Sequence, residues 1–196
     1  VWLEFRRVLF RSNKILNVNS ISYNPSTGIY IITTSDGVTP LLLSNDGITF
    51  TFETGLKWIG YGAYTPFDYI PFDDTNYDVS GIEVPSDALY ASTYHDNLYV
   101  AVGTNIVVST DAYTWSEVYA PNQNRTLLLK DVQYFNTTSF TGFMSVGQLT
   151  NDITGVTNEI VLTSFDRYTW TNPLQSPLGN NGFNSVATNG GIIVAV

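Results

Sequence analysis

Cysteine is absent from these 196 residues, histidine and methionine occur once each, and eight lysines and arginines face seventeen aspartates and glutamates. Without cysteine the chain forms no disulfide and no thiolate metal site, and the redox compartment is left undefined. A single histidine with no thiol beside it offers no set of soft metal ligands, so no cofactor is expected. The formal net charge of −9 repels phosphate backbones and anionic lipid, so nucleic acid is not an expected partner. Runs rich in Ala, Leu, Glu and Lys are missing, which argues for few helices. No apolar stretch approaches the roughly 18 residues of a helical bilayer span, and membrane insertion is not expected.

Thirteen tyrosines and eleven phenylalanines, with abundant Thr, Val and Ile, suit pleated, half-buried surfaces. One seven-residue pattern recurs three times, as SNDGITF (44–50), STDAYTW (109–115) and SFDRYTW (164–170). Each copy follows a short apolar run (TPLLLS, TNIVVS, NEIVLTS) and precedes alternating residues, which reads as strand, tight turn, strand. A further hairpin lies upstream of each, so the spacing predicts four strands per unit. The first strands are expected at 20–24, 89–94 and 129–135, and the second at 29–34, 98–102 and 140–146. The third are expected at 41–44, 106–109 and 160–164, and the fourth at 49–54, 114–119 and 169–172. Another copy begins at FNSVATNGGIIVAV. Four-stranded units repeated along a chain predict an all-β fold, a partial β-propeller of about three and a half antiparallel blades. The blades are expected at about 13–54, 87–120 and 127–174, with a partial one at 182–196 and an insertion at 55–86 between the first two.

The turn has its own chemistry. In Ser-x-Asp-x-x-Thr-aromatic a carboxylate accepts from backbone N–H groups a few residues on, and hydroxyls satisfy others. Ser44, Asp46, Thr49 and Phe50 fill these roles in the first copy; Ser109, Asp111, Thr114 and Trp115 in the second; Ser164, Asp166, Thr169 and Trp170 in the third. The aromatic residue is expected to pack between neighbouring blades. Gly47 supplies a positive-φ position, while Ala112 and Arg167 at the same place imply a different backbone or a small strain.

These residues resemble the Asp-box, or BNR, repeats of sialidase-like propellers, whose longer motif is Ser-x-Asp-x-Gly-x-Thr-Trp; here it is one residue shorter. The resemblance covers residues 13–196 as repeat architecture and implies a structural box between the third and fourth strands of each blade. Residues 3–12 (LEFRRVLFRS) instead resemble, codon for codon, a translated short-read sequencing adapter, and residues 1–12 are set aside as an artefact. That removes Arg6, Arg7, Arg11 and Glu4, leaving five basic residues (Lys14, Lys57, Arg125, Lys130, Arg167) against sixteen acidic ones and a net charge of −11. The last run, GGIIVAV, stops where its counterpart NLYVAVG continues, so an internal piece of a longer reading frame is expected, with further blades elsewhere in the parent chain.

Sialidase-like enzymes clamp a substrate carboxylate with several arginines and add a Tyr/Glu pair, which the resemblance would require here. Outside residues 1–12 there are only Arg125, in the connection APNQNRT, and Arg167, inside a turn, so no catalytic residue is assigned. His95 reads as a solvated turn residue in TYHDNLY, with general base or metal ligand as the alternative. The insertion concentrates aromatic residues, among them Trp58, Tyr61, Tyr64 and Tyr69, with carboxylates such as Asp68. Such rings stack on sugar faces or cover the end of a core, so the segment is either a loop for a glycan or protein partner or a self-packed cap. Asp74, Asn76 and Asp78 alternate as calcium ligands would, but Val79 and Pro85 stand where an EF-hand loop needs Gly and Glu. The polar stretch GQLTNDITGVTNE (147–159) reads as a surface loop. The expected function is a non-catalytic binding or structural module of a secreted, cell-surface or virion protein, such as a phage tail component; the alternative is a fragment of a sialidase-like glycoside hydrolase.

Overall fold

The computed structural model describes residues 18–35, 41–50, 88–121, 124–173 and 182–196, with the backbone of 57–59. Thirteen strands and no helix occur among them: β1 (Val18–Asn24), β2 (Ile29–Thr34), β3 (Leu41–Ser44), β4 (Lys57–Ile59), β5 (Leu89–His95), β6 (Leu98–Gly103), β7 (Ile106–Ser109), β8 (Thr114–Tyr119), β9 (Arg125–Asn136), β10 (Thr141–Asn151), β11 (Thr157–Ser164), β12 (Val186–Thr188) and β13 (Ile193–Ala195). They form four sheets in chain order, β1-β2-β3, β5-β6-β7-β8 with β4 added beyond β8, β9-β10-β11, and β12-β13. All pairings are antiparallel except that of β4, which runs parallel to β8 with Trp58 opposite Trp115. The chain is therefore all-β over its described residues.

The hairpin turns follow from their residues. Asp96 and Asn97, both at positive φ (48° and 61°), join His95 to Leu98 in a two-residue turn whose twist matches that of its strands. Asn24 and Asn151 each accept two backbone N–H bonds on the side-chain oxygen, from Ser26 and Thr27 and from Ile153 and Thr154, and each turn closes on a left-handed glycine, Gly28 or Gly155.

The first strands of successive sheets lie side by side, β1 against β5, β5 against β9 and β9 against β12. The β1–β5 and β9–β12 seams carry polar contacts. Asn19 Nδ2 donates to the Leu89 carbonyl at 2.8 Å, and the Ser22 and Ser92 hydroxyls share a hydrogen bond at 2.7 Å. Asp131 Oδ2 accepts from Val186 N at 2.9 Å and from the Ser185 hydroxyl at 2.8 Å. Farther along the strands the sheet faces are apolar. Every residue of β6 is buried, because its two faces serve different neighbours. Tyr99 and Ala101 join Ile31, Leu41 and Leu43 of the first sheet, while Leu98, Val100 and Val102 join Leu127, Leu129 and Leu162 of the third. That explains why LYVAV reads as a continuous apolar run rather than an alternating one. Phe135, Val146 and Val161 cover Val186 of the fourth sheet in the same way.

Several expectations are corrected. The stretch 147–159 is no loop: β10 runs to Asn151 and β11 starts at Thr157, with Thr150 opposite Thr157, so a long hairpin replaces it. Arg125 is the first residue of β9, not part of a connection. The fourth strand of the third unit shrinks to one bridge, Thr163 to Thr171, and Thr49 and Phe50 are not in a strand. Among the described residues the first three sheets thus have three, five and three strands where four each are expected, and the partial fourth has two; residues 51–54 of the first unit's expected fourth strand lie outside the described residues.

Candidate functional site

The three acid turns repeat in atomic detail. Ser44 Oγ donates to Asp46 Oδ1 (2.9 Å) and accepts from Gly47 N (2.9 Å), while Ile48 N and Thr49 N donate to the same Oδ1 at 2.8 and 2.7 Å. Around Asp111 the partners are the Ser109 hydroxyl (3.0 Å), Tyr113 N (2.8 Å) and Thr114 N (2.6 Å), and Ala112 N donates to Ser109 Oγ at 2.9 Å. Around Asp166 they are the Ser164 hydroxyl (3.2 Å), Tyr168 N (3.0 Å) and Thr169 N (2.7 Å). Bonds to the ionised carboxylate favour that form. Thr49 N, Ile48 N and the Ser44 hydroxyl bring Asp46 down from the ordinary 3.8 to about 2. The Thr169 backbone and side chain with Tyr168 N do the same for Asp166, also to about 2. At Asp111 desolvation pushes upward and is outweighed by Thr114, Tyr113 and Ser109, so its value also falls.

The residue after each aspartate is left-handed in all three copies: Gly47 at φ 69°, Ala112 at 69° and Arg167 at 78°. Only the first is glycine. The backbone does not change to suit the residue; the alanine and arginine occupy the same strained conformation. At Gly47 a Cβ would stand 3.2 Å from the Tyr30 ring, which is tight. The aromatic residue that ends the pattern turns toward the preceding sheet. Trp115 is fully buried in the cluster with Ile31, Leu41 and Leu43, and Trp170 is buried against Val100, Val102 and Ile106. Phe50 is half-buried.

Each indole meets a second ring that the sequence alone did not single out. Trp115 is 6.3 Å from Tyr99, and Trp170 is 6.5 Å from Phe143. Such rings form directly opposed pairs across the first hairpin of each of the first three sheets: Tyr23 with Tyr30 (4.3 Å), Tyr94 with Tyr99 (4.9 Å) and Tyr134 with Phe143 (5.2 Å). An aromatic residue on both sides of the first turn in each of the first three units was the available signal. Aromatic cross-strand pairs add stability beyond their buried area.

His95 is corrected as well. It is the last residue of β5, half-buried, and its ring stacks on Tyr134 of the third sheet at 3.4 Å and 10°. It is no solvated turn residue. The neighbouring Asp96 accepts from Arg167, through its backbone carbonyl at 3.2 Å and through Oδ2 in an ion pair. No protein-family model matches the chain, and no curated protein matches it significantly. Among the described residues no group of three or more His, Asp or Glu is placed to hold a metal. Trp58 belongs to β4 rather than to a loop, while Tyr61, Tyr64, Asp68, Tyr69, Asp74, Asn76 and Asp78 lie outside the described residues.

Proposed function

We propose that the four sheets are successive blades of an Asp-box-type propeller, and that the chain acts as a non-catalytic binding or structural module of a secreted, cell-surface or virion protein. The blade reading rests on the adjacent first strands and on the sheets that bury both faces. The non-catalytic reading rests chiefly on where the ionisable groups are spent. Each turn carboxylate takes three donors on one oxygen, and Arg167 is paired with Asp96. Arg125 pairs with Asn151 at one end of the long hairpin, whereas the turn holding Arg167 leaves the other end, where Phe143 faces Ser164. At about 3.4 Å per residue the two arginines are separated by roughly 25–30 Å along the strands, too far to clamp one carboxylate. The acidic surface favours a neutral or cationic partner over an anionic glycan.

The full chain on glycan and protein arrays should be retained by a neutral ligand, and Trp58→Ala with Tyr61→Ala should abolish retention while the chain still folds. It should release no product from a fluorogenic sialoside. Product release overturns the non-catalytic reading; retention untouched by the double substitution removes the aromatic segment as the binding site.

A further inference from the structure

Three turns share one backbone, and yet the left-handed position after the aspartate holds three unlike residues. What each one touches accounts for the difference. Ala112 is fully buried, and its methyl group lies in the cluster that joins the second sheet to Ile31, Leu41 and Leu43 of the first. Arg167 extends from the third sheet to the first turn of the second, where it donates to the Asp96 carbonyl and pairs with the Asp96 carboxylate. Gly47 packs under Tyr30 of the first sheet's own aromatic pair. A left-handed arginine is an unfavourable local choice that glycine would avoid. Its side chain makes a contact that glycine cannot, to the Asp96 carbonyl and carboxylate.

We propose that in the second and third turns this position keys its sheet to the sheet before it, and that the Arg167–Asp96 pair is the pin that sets the third sheet against the second. The partner is a carboxylate on a two-residue turn whose own residues are held at positive φ, so both halves of the pin are rigidly presented. Asp96 and Arg167 are both partly solvent-exposed, 58% and 39% on their side chains, and an exposed pair contributes little net stability. Its contribution is to alignment: the pair and the bond to the Asp96 carbonyl form only when the third sheet's turn meets the first turn of the second sheet. The stack of His95 on Tyr134 lies one residue away and spans the same two sheets, so correct alignment is what brings those rings together. Other titratable neighbours at this seam are Tyr94, beside Asn97, and Asp166 in the turn itself.

His95 is the sole histidine, which makes its ring protons a clean reporter in the full chain. In the native chain the Tyr134 ring current should displace them upfield. Arg167→Asp, which sets two carboxylates against each other, should lower the melting temperature more than Arg167→Gln and return the His95 signals toward their unstacked positions. Adding Asp96→Asn to Arg167→Asp should restore most of both, and 1 M NaCl should narrow the gap between Arg167→Asp and Arg167→Gln. His95 signals unmoved by Arg167→Asp, or a loss that Asp96→Asn does not reverse, overturns the pin. If Arg167→Asp does not fold, folding of the double variant supports the proposal, and failure of both to fold overturns it.

Discussion

Around Asp111 the turn is sunk into the seam between the first two sheets, with Ala112 and Trp115 wholly buried. Around Asp166 the same turn stands out into solvent, with Phe165 71% and Tyr168 54% exposed and Arg167 reaching across to Asp96. The carboxylate is bound by the same three donor types in both. Local hydrogen bonding thus fixes the shape of the turn, and shape alone does not decide what the turn contributes. That depends on what the left-handed residue and the terminal indole meet on the neighbouring sheet. Trp115 donates its ring N–H to the Ala112 carbonyl at 2.9 Å, while the ring N–H of Trp170 is buried without a hydrogen-bond partner among the described residues.

Removing the buried indole of the second turn should have the largest effect. Trp115→Ala should destabilise by about 3–5 kcal/mol, the range for large aromatic truncations in a core, read from urea unfolding. A loss below about 1 kcal/mol would mean that Trp115 does not hold the seam.

A gentler substitution separates the two turns. Trp115→Phe removes a made hydrogen bond as well as volume, whereas Trp170→Phe removes a buried donor that is already unsatisfied. A net hydrogen bond is worth about 1 kcal/mol and an orphaned donor costs roughly 1–3 kcal/mol. Trp115→Phe should therefore cost at least about 1 kcal/mol more than Trp170→Phe in paired unfolding curves. Equal losses would show that the indole nitrogens play no part in the difference between the turns.

The turns were legible in the sequence because every bond that makes them spans two or three residues, so Ser-x-Asp-x-x-Thr carries its own explanation. Strands β5 to β8 were legible for a related reason: an apolar run flanked by turn residues is a local pattern. What escaped was set by distant partners. GQLTNDITGVTNE reads as a loop because its residues are polar, yet the backbone of 147–150 is paired on both sides, to β9 and to β11, and Thr150 bonds Thr157 across the strands at 2.9 Å. His95 reads as a turn residue because Asp96 and Asn97 follow it; its burial comes from Tyr134 on another sheet. The Arg167–Asp96 pair joins residues 71 positions apart, and no periodicity announces it.

The smallest effect concerns acid. Asp46 and Asp166 titrate near 2 in the folded chain against 3.8 for an unhindered aspartate, so between those values the unfolded chain binds more protons than the folded one. The stability each turn contributes through its carboxylate is complete above about pH 4 and disappears as pH falls through about 2. Asp111 follows the same direction: desolvation pushes its pKa up, and the bonds from Thr114, Tyr113 and Ser109 outweigh it. Carboxyl carbon shifts measured from pH 5 to pH 1.5 give all three midpoints in one titration. If Asp46 and Asp166 titrate at the ordinary 3.8, the backbone N–H groups do not hold these carboxylates in solution, and the turn loses its physical basis as the repeat's common element.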